Sequence, residues 1–226
     1  MEIVILKDFP INIEFEQIRN ALHIEDEDEI AQAENLWNEA KGIAKPKTIY
    51  RVAHVDEIRD DGAVIDGIFL KSRILAVNFK GKHLVFPYVS TCGLEIEEWS
   101  RSIEDPYYAY CADAMKEIMI APTISHFVSH IVERFGMVEA CCMNPGSLED
   151  WPIFEQKKLF ELIGNVKDSV GVTLKPSFLM TPIKSVSGIY FESNDGTYIN
   201  CALCPREKCS NRRAKYDMSL YDIKYS

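Results

Sequence analysis

The sequence predicts an α+β fold in which a helical N-terminal portion packs beside a mostly antiparallel sheet. Three observations support this prediction. Apolar residues recur at helical spacing within residues 1–45, β-rich stretches bounded by turn residues follow, and Asn194-Asp195-Gly196 is typical of a hairpin turn. No repeat or low-complexity linker divides the 226 residues, so we predict one domain over residues 1–226.

Two helices are predicted in the N-terminal portion. Phe15, Ile18 and Leu22 lie at helical spacing, and so does a second set, Ile30, Ala33, Leu36, Trp37 and Ala40. The acidic run 25–29 opens the second helix. We interpret it as a solvated first turn, where negative charge stabilises a helix N-terminus, rather than as a cation site or a surface for a basic partner.

Strands and helices alternate after residue 45. The predicted strands are Tyr50 to Val55, Ile68 to Leu70, Leu84 to Val89, Val170 to Phe178, Ser185 to Phe191 and Thr197 to Ile199. A helical region from about Glu95 to Phe135 is predicted to break near Asp105-Pro106 and again near Pro122, and Gly136 is placed to end it. Another helix is predicted from Trp151-Pro152 to Ile163-Gly164.

Charge and cysteine content limit the classes of function. Lys and Arg number 25 against 35 Asp and Glu, and this formal charge of −10 disfavours nucleic acid as a partner. No apolar run approaches the roughly 18 residues of a membrane helix, and the first ten residues lack the features of a signal peptide. We therefore expect a cytoplasmic protein with no membrane partner, whose cysteines are more often metal ligands or reactive thiols than disulfides.

A cysteine cluster in the basic tail, residues 201–216, is the sharpest local signal. Cys201, Cys204 and Cys209 form a C-x2-C-x4-C pattern, which favours zinc or an iron–sulfur cluster. A fourth ligand is predicted at Cys92, with Cys141 and Cys142 as alternatives. A redox thiol pair and unliganded thiols remain open as other interpretations. The negative charge of the whole chain argues against a zinc-knuckle-like nucleic-acid site.

A second possible metal site lies on a predicted helix. His126, His130 and Glu133 share one helix face, which is compatible with a site of two histidines and a carboxylate. The H-E-x-x-H arrangement is missing, so we interpret these residues as the polar face of the helix. Phosphate-binding glycine motifs and a serine-hydrolase elbow are also missing from the sequence.

Several stretches of the chain are specific enough to indicate a family. They are Pro145-Gly146, Asp150-Trp151-Pro152, the helix from Glu155 to Phe160, and the segment from Met180 to Phe191 with its M-x-P-x-x-S-V-S-G pattern. On these stretches the sequence from Asn144 onward resembles the activation (reactivation) domain of cobalamin-dependent methionine synthase, and more particularly its stand-alone, single-domain relatives. The N-terminal half is similar in a weaker way, through Ser90-Thr91-Cys92-Gly93 before a helix.

The resemblance implies a C-shaped α+β domain with a bent antiparallel sheet flanked by helices. It implies that S-adenosylmethionine binds in a shallow groove and is presented to the oxidised corrinoid of a partner, a corrinoid-binding protein or methyltransferase. A flavodoxin-like or ferredoxin-like donor would supply the electron. The ligand-binding residues that the resemblance implies are Asn144, Pro145, Gly146, Ser147, Ser185, Ser187 and Tyr190.

Two departures from the family pattern shape the functional hypothesis. The family motif R-x-x-P-G-Y aligns with residues 142–147, so Cys142 replaces the arginine and Ser147 the tyrosine. The cysteine cluster is absent from the methionine synthase domain, and it points to on-board electron delivery or a structural metal. We therefore predict a reactivation or accessory protein for a corrinoid methyltransferase. The alternative is a non-catalytic module that docks on a corrinoid protein and has a structural metal site.

Overall fold

The structure is a computed structural model that describes residues 2–193, 198–209 and 212–225. Its strands are β1 (Glu2–Lys7), β2 (Lys47–Arg59), β3 (Gly62–Ile65), β4 (Ile68–Lys71), β5 (Leu84–Thr91), β6 (Ala140–Met143), β7 (Thr173–Leu174), β8 (Met180–Thr181) and β9 (Ser185–Glu192). Its helices are α1 (Phe15–Leu22), α2 (Glu27–Ile43), α3 (Arg73–Phe79), α4 (Leu94–Arg101), α5 (Pro106–Phe135), α6 (Gln156–Ile163), α7 (Val166–Val170) and α8 (Ser219–Tyr225). Short 3-10 turns span Ile153–Glu155 and Asn200–Leu203.

The main sheet has the strand order β4-β3-β2-β5-β9-β6, and each of these pairings is antiparallel. The long strand β2 takes two partners along the edge opposite β5. Its first half pairs with β1, from Glu2↔Val52 to Lys7↔Lys47, and its second half pairs with β3. A register shift between Val55 and Glu57 lies within the half that pairs with β3, and such a bulge bends a strand. The predicted α+β fold with an antiparallel sheet is confirmed.

Helices cover both faces of this sheet because its central strands alternate two sets of apolar side chains. Val85 and Val89 of β5 point into a core that α3, α6, α7 and α8 close. Phe86 and Tyr88 point to the opposite face, where α5 packs. A third apolar cluster joins α1, α2 and α4 to the first half of α5. The cluster of Tyr88, Cys142 and Tyr190 lies on the α5 face.

Helix α5 runs without a break through Pro122, so the predicted interruption there is wrong. Proline removes one backbone N–H from the helix, at a cost that tertiary packing has to offset. Met119 and Phe127 on either side of Pro122 are both completely buried, in two different clusters. One continuous helix is therefore stabilised along its length. The predicted end at Gly136 is confirmed, since this residue has a φ of +63° at the C-cap.

Other differences from the predictions concern which segments form strands. The first residues form β1 rather than part of a helical portion, because they add to the edge of β2. Only Thr173–Leu174 is a strand within the predicted 170–178 stretch. The predicted hairpin turn at Asn194-Asp195-Gly196 and its neighbour Thr197 lie outside the described residues. Within the described ranges, no helix has both the length and the apolar character required to cross a membrane.

Candidate ligand-binding site

A tight turn directly after β6 holds the four consecutive residues predicted to bind the ligand, 144–147. The Gly146 N–H donates to the Trp151 carbonyl at 2.8 Å, and the Ser147 N–H donates to the Asn144 carbonyl at 3.2 Å. Gly146 has a φ of +82°, and a Cβ there would lie 2.7 Å from Cδ1 of Ile153. The turn therefore requires glycine for its backbone conformation and for its close packing.

The Asn144 side chain joins this turn to the sheet. Its Nδ2 donates to the Ser187 carbonyl at 2.8 Å and to the Tyr88 hydroxyl at 3.4 Å. The amide crosses β9 above Gly188, where a Cβ would lie 2.6 Å from Asn144 Nδ2 and 2.5 Å from the Met143 carbonyl oxygen. Both Nδ2 hydrogens are thus used within the protein. The Oδ1 atom keeps acceptor capacity, because its contact with Cys142 Sγ is long, at 3.7 Å.

Three buried aromatic rings support the floor of the site. The ring centroids of Tyr88 and Tyr190 are 5.1 Å apart, and Phe127 of α5 lies 5.0 Å from Tyr88 and 5.5 Å from Tyr190. Burial raises the pKa of the Tyr88 and Tyr190 phenols, and the neighbouring Cys142 raises both further. Both hydroxyls therefore stay protonated at neutral pH and act as neutral polar groups rather than as bases.

Cys142 occupies the centre of this cluster as a neutral thiol. It pairs with Tyr190 across the β6–β9 ladder, and its Sγ lies 3.6 Å from the Tyr88 hydroxyl. Burial raises the pKa of Cys142 to about 12, although the hydrogen bonds with Tyr88 and Asn144 and the charge of Arg213 act in the opposite direction. Because the thiolate is the reactive form, Cys142 is not activated as a nucleophile.

The remaining predicted ligand residues divide between two places. Ser187 is buried and contributes its carbonyl to the Asn144 contact. Ser185 pairs with Thr91, and its hydroxyl is hydrogen-bonded to Thr91 Oγ1 at 3.0 Å and to the Pro182 carbonyl at 2.8 Å. It lies five residues before Tyr190, about 16 Å away at the usual rise of a strand. The structure thus brings Asn144 to the Ser187 carbonyl and, through Tyr88, close to Tyr190, and it leaves Ser185 at the other end of β9.

Much of the M-x-P-x-x-S-V-S-G segment has a structural role. Lys184 forms ion pairs with Asp113 at 3.0 Å and Glu117 at 3.1 Å on α5. Gly188 is required where Asn144 crosses the strand. The specificity of the pattern therefore reflects how β9 attaches to the rest of the protein. It does not by itself identify ligand contacts.

The basic tail is fixed by an arginine. The Arg212 guanidinium donates to the carbonyl oxygens of Cys201 at 3.0 Å, Cys204 at 3.2 Å and Ala214 at 3.2 Å, and also to that of Arg206. The Asp217 N–H donates to the Ala202 carbonyl at 2.8 Å. One planar cation with several donors thus holds the loop that the predicted metal was expected to hold.

The predicted metal site does not fit the described residues. Among the described residues, no group of three His, Cys, Asp or Glu side chains could hold a metal ion. The predicted ligands Cys201, Cys204, Cys209 and Cys92 therefore form no such group. Cys92 is buried in the helical cluster, where its Sγ donates to the Lys116 carbonyl at 3.4 Å. Burial raises the pKa of Cys92 to about 12, which disfavours the thiolate that zinc or iron requires. The iron–sulfur and zinc predictions are therefore not supported.

The histidines of α5 have partners other than a metal. His130 Nε2 is 2.9 Å from the Tyr50 hydroxyl, which also accepts a hydrogen bond from Arg134 at 3.0 Å. The His126 ring packs against Phe9 with centroids 4.5 Å apart. Burial and the charge of Arg134 lower the pKa of His130, so its neutral form is favoured. These contacts agree with the interpretation of a polar helix face.

The sequence did not predict the contacts of Tyr88 or the anchoring role of Arg212. Tyr88 lies in an apolar run in which nothing distinguishes it from a core residue.

A cavity of about 340 Å³ lies near the segment after the turn, lined by Asp61, Lys71, Arg73, Asp150, Pro152, Phe154 and Glu155. None of the predicted ligand residues lines it, and the Asp150 carboxylate accepts hydrogen bonds from Ser72, Ile74 and Tyr221. This cavity is therefore separate from the Asn144–Tyr190 cluster.

Comparisons with known proteins agree with the resemblance found in the sequence. A family model described as vitamin B12 dependent methionine synthase, activation domain, matches residues 150–216. A solved structure described as the crystal structure of the MetH reactivation domain bound to AdoHcy has a TM-score of 0.59. The match covers 88% of this chain and 81% of that one, at 15% sequence identity. No curated protein matches the sequence.

The two matches support different statements. The family model confirms the predicted resemblance for residues 150–216, which run from shortly before α6 to the end of the basic tail. The structural match extends over most of the chain and shows the fold, since an identity of 15% carries no more than that. The predicted resemblance to the activation domain is thus confirmed.

Proposed function

We propose that this chain, as a relative of the methionine synthase activation domain, reactivates the corrinoid of a partner methyltransferase. It would bind S-adenosylmethionine and present the methyl group to the partner's cobalt. The family model over residues 150–216 is the observation that carries this proposal. The similarity in fold to a domain described as bound to AdoHcy, S-adenosylhomocysteine, supports the class of ligand.

The ligand would bind where the turn after β6 meets β9. Asn144 Oδ1 offers an acceptor, and Gly146 exposes its backbone. The Ser147 hydroxyl is half-buried and has no hydrogen-bond partner among the described residues. Next to Asn144, which contacts the Tyr88 hydroxyl, the rings of Tyr88, Tyr190 and Phe127 form a rigid apolar base, since all three are nearly completely buried. The site would fix the ligand by shape and neutral hydrogen bonds, which suits a large and partly apolar nucleoside.

The task of this chain is placement rather than chemical activation. The partner's cobalt would receive one electron from a separate donor and then take the methyl group, which leaves S-adenosylhomocysteine as the product. Cys142 stays a neutral thiol and Tyr88 a neutral phenol, so neither competes for the methyl group as an anionic nucleophile. The protein would hold the sulfonium in line with the metal and exclude other acceptors.

The proposal is tested by titration calorimetry of the full chain with S-adenosylmethionine and S-adenosylhomocysteine. We expect a dissociation constant in the micromolar range. Gly146→Ala should abolish binding, because a Cβ would meet Ile153 and the residue has a positive φ. Gly81→Ala is a matched control, since Gly81 also has a positive φ but no atom within 4 Å of the added Cβ. No detectable binding to wild type would contradict the proposal.

A non-catalytic docking module is the second candidate. Two observations favour it: both Nδ2 hydrogens of Asn144 are used inside the protein, and residues 142–147 contain no cation. Such a module would cap a corrinoid protein without binding S-adenosylmethionine. Binding to a corrinoid protein that persists while neither adenosyl ligand binds would favour the module.

A further inference from the structure

Two large apolar side chains are exposed beside the candidate turn. Ile153 is 42% exposed and Phe154 is 54% exposed, whereas Trp151 before them and Glu155 after them are buried. A single exposed apolar side chain is ordinary on a protein surface, but adjacent ones beside a candidate site are typical of an interaction surface. We refer to Ile153 and Phe154 together as the apolar lip.

Backbone contacts hold the apolar lip against the turn. The Gly146 N–H donates to the Trp151 carbonyl at 2.8 Å, and the Trp151 N–H donates to the Leu148 carbonyl at 3.1 Å. Trp151 and Leu148 both belong to the core that α3, α6, α7 and α8 close. A Cβ at Gly146 would lie 2.7 Å from Cδ1 of Ile153, so Ile153 packs directly on the turn. The apolar lip therefore has a fixed position next to residues 144–147.

The apolar lip continues into the neighbouring cavity. Phe154 lines this cavity together with Lys71 and Arg73, both of which are exposed. Two of the carboxylates that line it are already engaged, since Asp150 accepts hydrogen bonds within the protein and Glu155 is held in an ion pair at 3.0 Å. Apolar surface and two cationic donors thus lie side by side next to the turn.

The proposed function requires a large ring to approach this surface. Methyl transfer brings the methyl carbon of S-adenosylmethionine to within about 3–3.5 Å of the cobalt. The corrin ring extends around the cobalt much farther than this distance, and its periphery carries methyl groups and amide side chains. A corrin placed over the ligand therefore also contacts the exposed residues beside the ligand. Next to the turn, the apolar lip and the two cations are such residues.

We propose that the apolar lip is the docking surface for the corrin ring of the partner, and that Lys71 and Arg73 donate hydrogen bonds to the amide carbonyls at the edge of that ring. The inference rests on the proposed function, because it names the surface through which the same site meets its partner. Phe154 supplies the larger part of the apolar contact, since an aromatic ring offers a large area and few rotatable bonds. The apolar lip binds the cofactor and takes no part in the chemistry.

The test uses methylcobalamin in solution as the probe, with the full chain and with or without S-adenosylhomocysteine. Together these two ligands are the product state of the proposed transfer, because the methyl group is already on the cobalt. Equilibrium dialysis followed by corrin absorbance should give a dissociation constant below about 1 mM. Phe154→Ala should weaken this binding about fivefold or more, as expected for truncation of an aromatic residue in an interface. S-adenosylhomocysteine affinity, measured by calorimetry, should stay within about twofold of wild type, because Ile153 is the residue that packs on Gly146.

Tyr110→Ala is the matched control, because Tyr110 is also an exposed aromatic residue but lies on the first half of α5. It should leave both affinities within about twofold of wild type. Wild type that binds S-adenosylhomocysteine but not methylcobalamin would overturn the inference and leave the proposed function standing, and so would unchanged methylcobalamin binding by Phe154→Ala. Equal losses of both ligands would also overturn it, because Phe154 would then shape the ligand site. Methylcobalamin binding that depends on Phe154, in a chain that binds neither adenosyl ligand, would support the docking surface and contradict the proposed function.

Discussion

The α5 face of the sheet and the basic tail are held by different kinds of contact. The sheet face rests on buried rings, such as Tyr88 and Phe127, and on Gly188, where backbone and side chain approach closely. The tail rests mainly on the Arg212 guanidinium and backbone carbonyls, and Leu203 adds its side chain to the apolar core. Apolar packing is cooperative and global, whereas a few polar contacts open locally. The sheet should therefore fix the site, and the tail should be able to open without unfolding the protein.

Phe127→Ala should have the largest effect, because it removes a completely buried ring that contacts Tyr50, Tyr88 and Tyr190. We expect a loss of about 3–5 kcal/mol in the free energy of unfolding, as for other large-to-small changes in a core. Denaturant unfolding followed by circular dichroism measures it. A loss below about 1 kcal/mol would show that the sheet face is not the rigid part of the site.

Gly188→Ala should be the next most damaging substitution. Its Cβ would lie 2.5 Å from the Met143 carbonyl oxygen and 2.6 Å from Asn144 Nδ2, so β6 has to move away from β9. We expect a destabilisation of about 1–3 kcal/mol, typical of overpacking. Gly42→Ala in α2 is the control, since nothing lies within 4 Å of its Cβ. That change should be neutral or stabilising by up to about 1 kcal/mol.

Arg212→Met should affect the tail alone. Its contacts lie outside the three apolar clusters, so the global free energy of unfolding should change by less than about 1 kcal/mol. The Asp217 amide, which donates to Ala202, should lose protection from hydrogen exchange about tenfold or more. Equal loss of protection in β5 and β9 would contradict the distinction between sheet and tail.

The pH dependence of His130 should give the smallest effect. Burial and the Arg134 charge lower its pKa in the folded state below the unfolded value of 6.5. The unfolded state then binds more protons, so the stabilisation is present above pH 6.5 and is lost as the pH falls through the folded pKa. His130→Gln should remove this slope. Chemical unfolding at pH 8 and pH 5 measures the difference, and an unchanged slope in the variant would contradict the assignment.

The candidate site could be predicted from the sequence only in part. The segment 144–147 is recognisable in the sequence because Pro145-Gly146 is a local signal, and the structure has a turn there. Tyr88 was not found, because its role depends on pairing with β9 and on contact with Phe127. The described residues do not support the metal prediction, for a similar reason. A C-x2-C spacing describes what neighbouring thiols can reach, whereas Arg212 and the burial of Cys92 depend on distant contacts.

The sequence by itself determined the elements whose causes are local. Asp26 caps α2 through its own carboxylate, Gly136 ends α5 with a positive φ, and a run rich in β-branched and aromatic residues makes β5 a strand. Only the tertiary structure determined that α5 continues through Pro122 and that the Asn144 amide donates to a carbonyl of β9. Local propensities depend on the nearest residues in the chain, whereas these outcomes depend on packing between segments that are far apart in sequence.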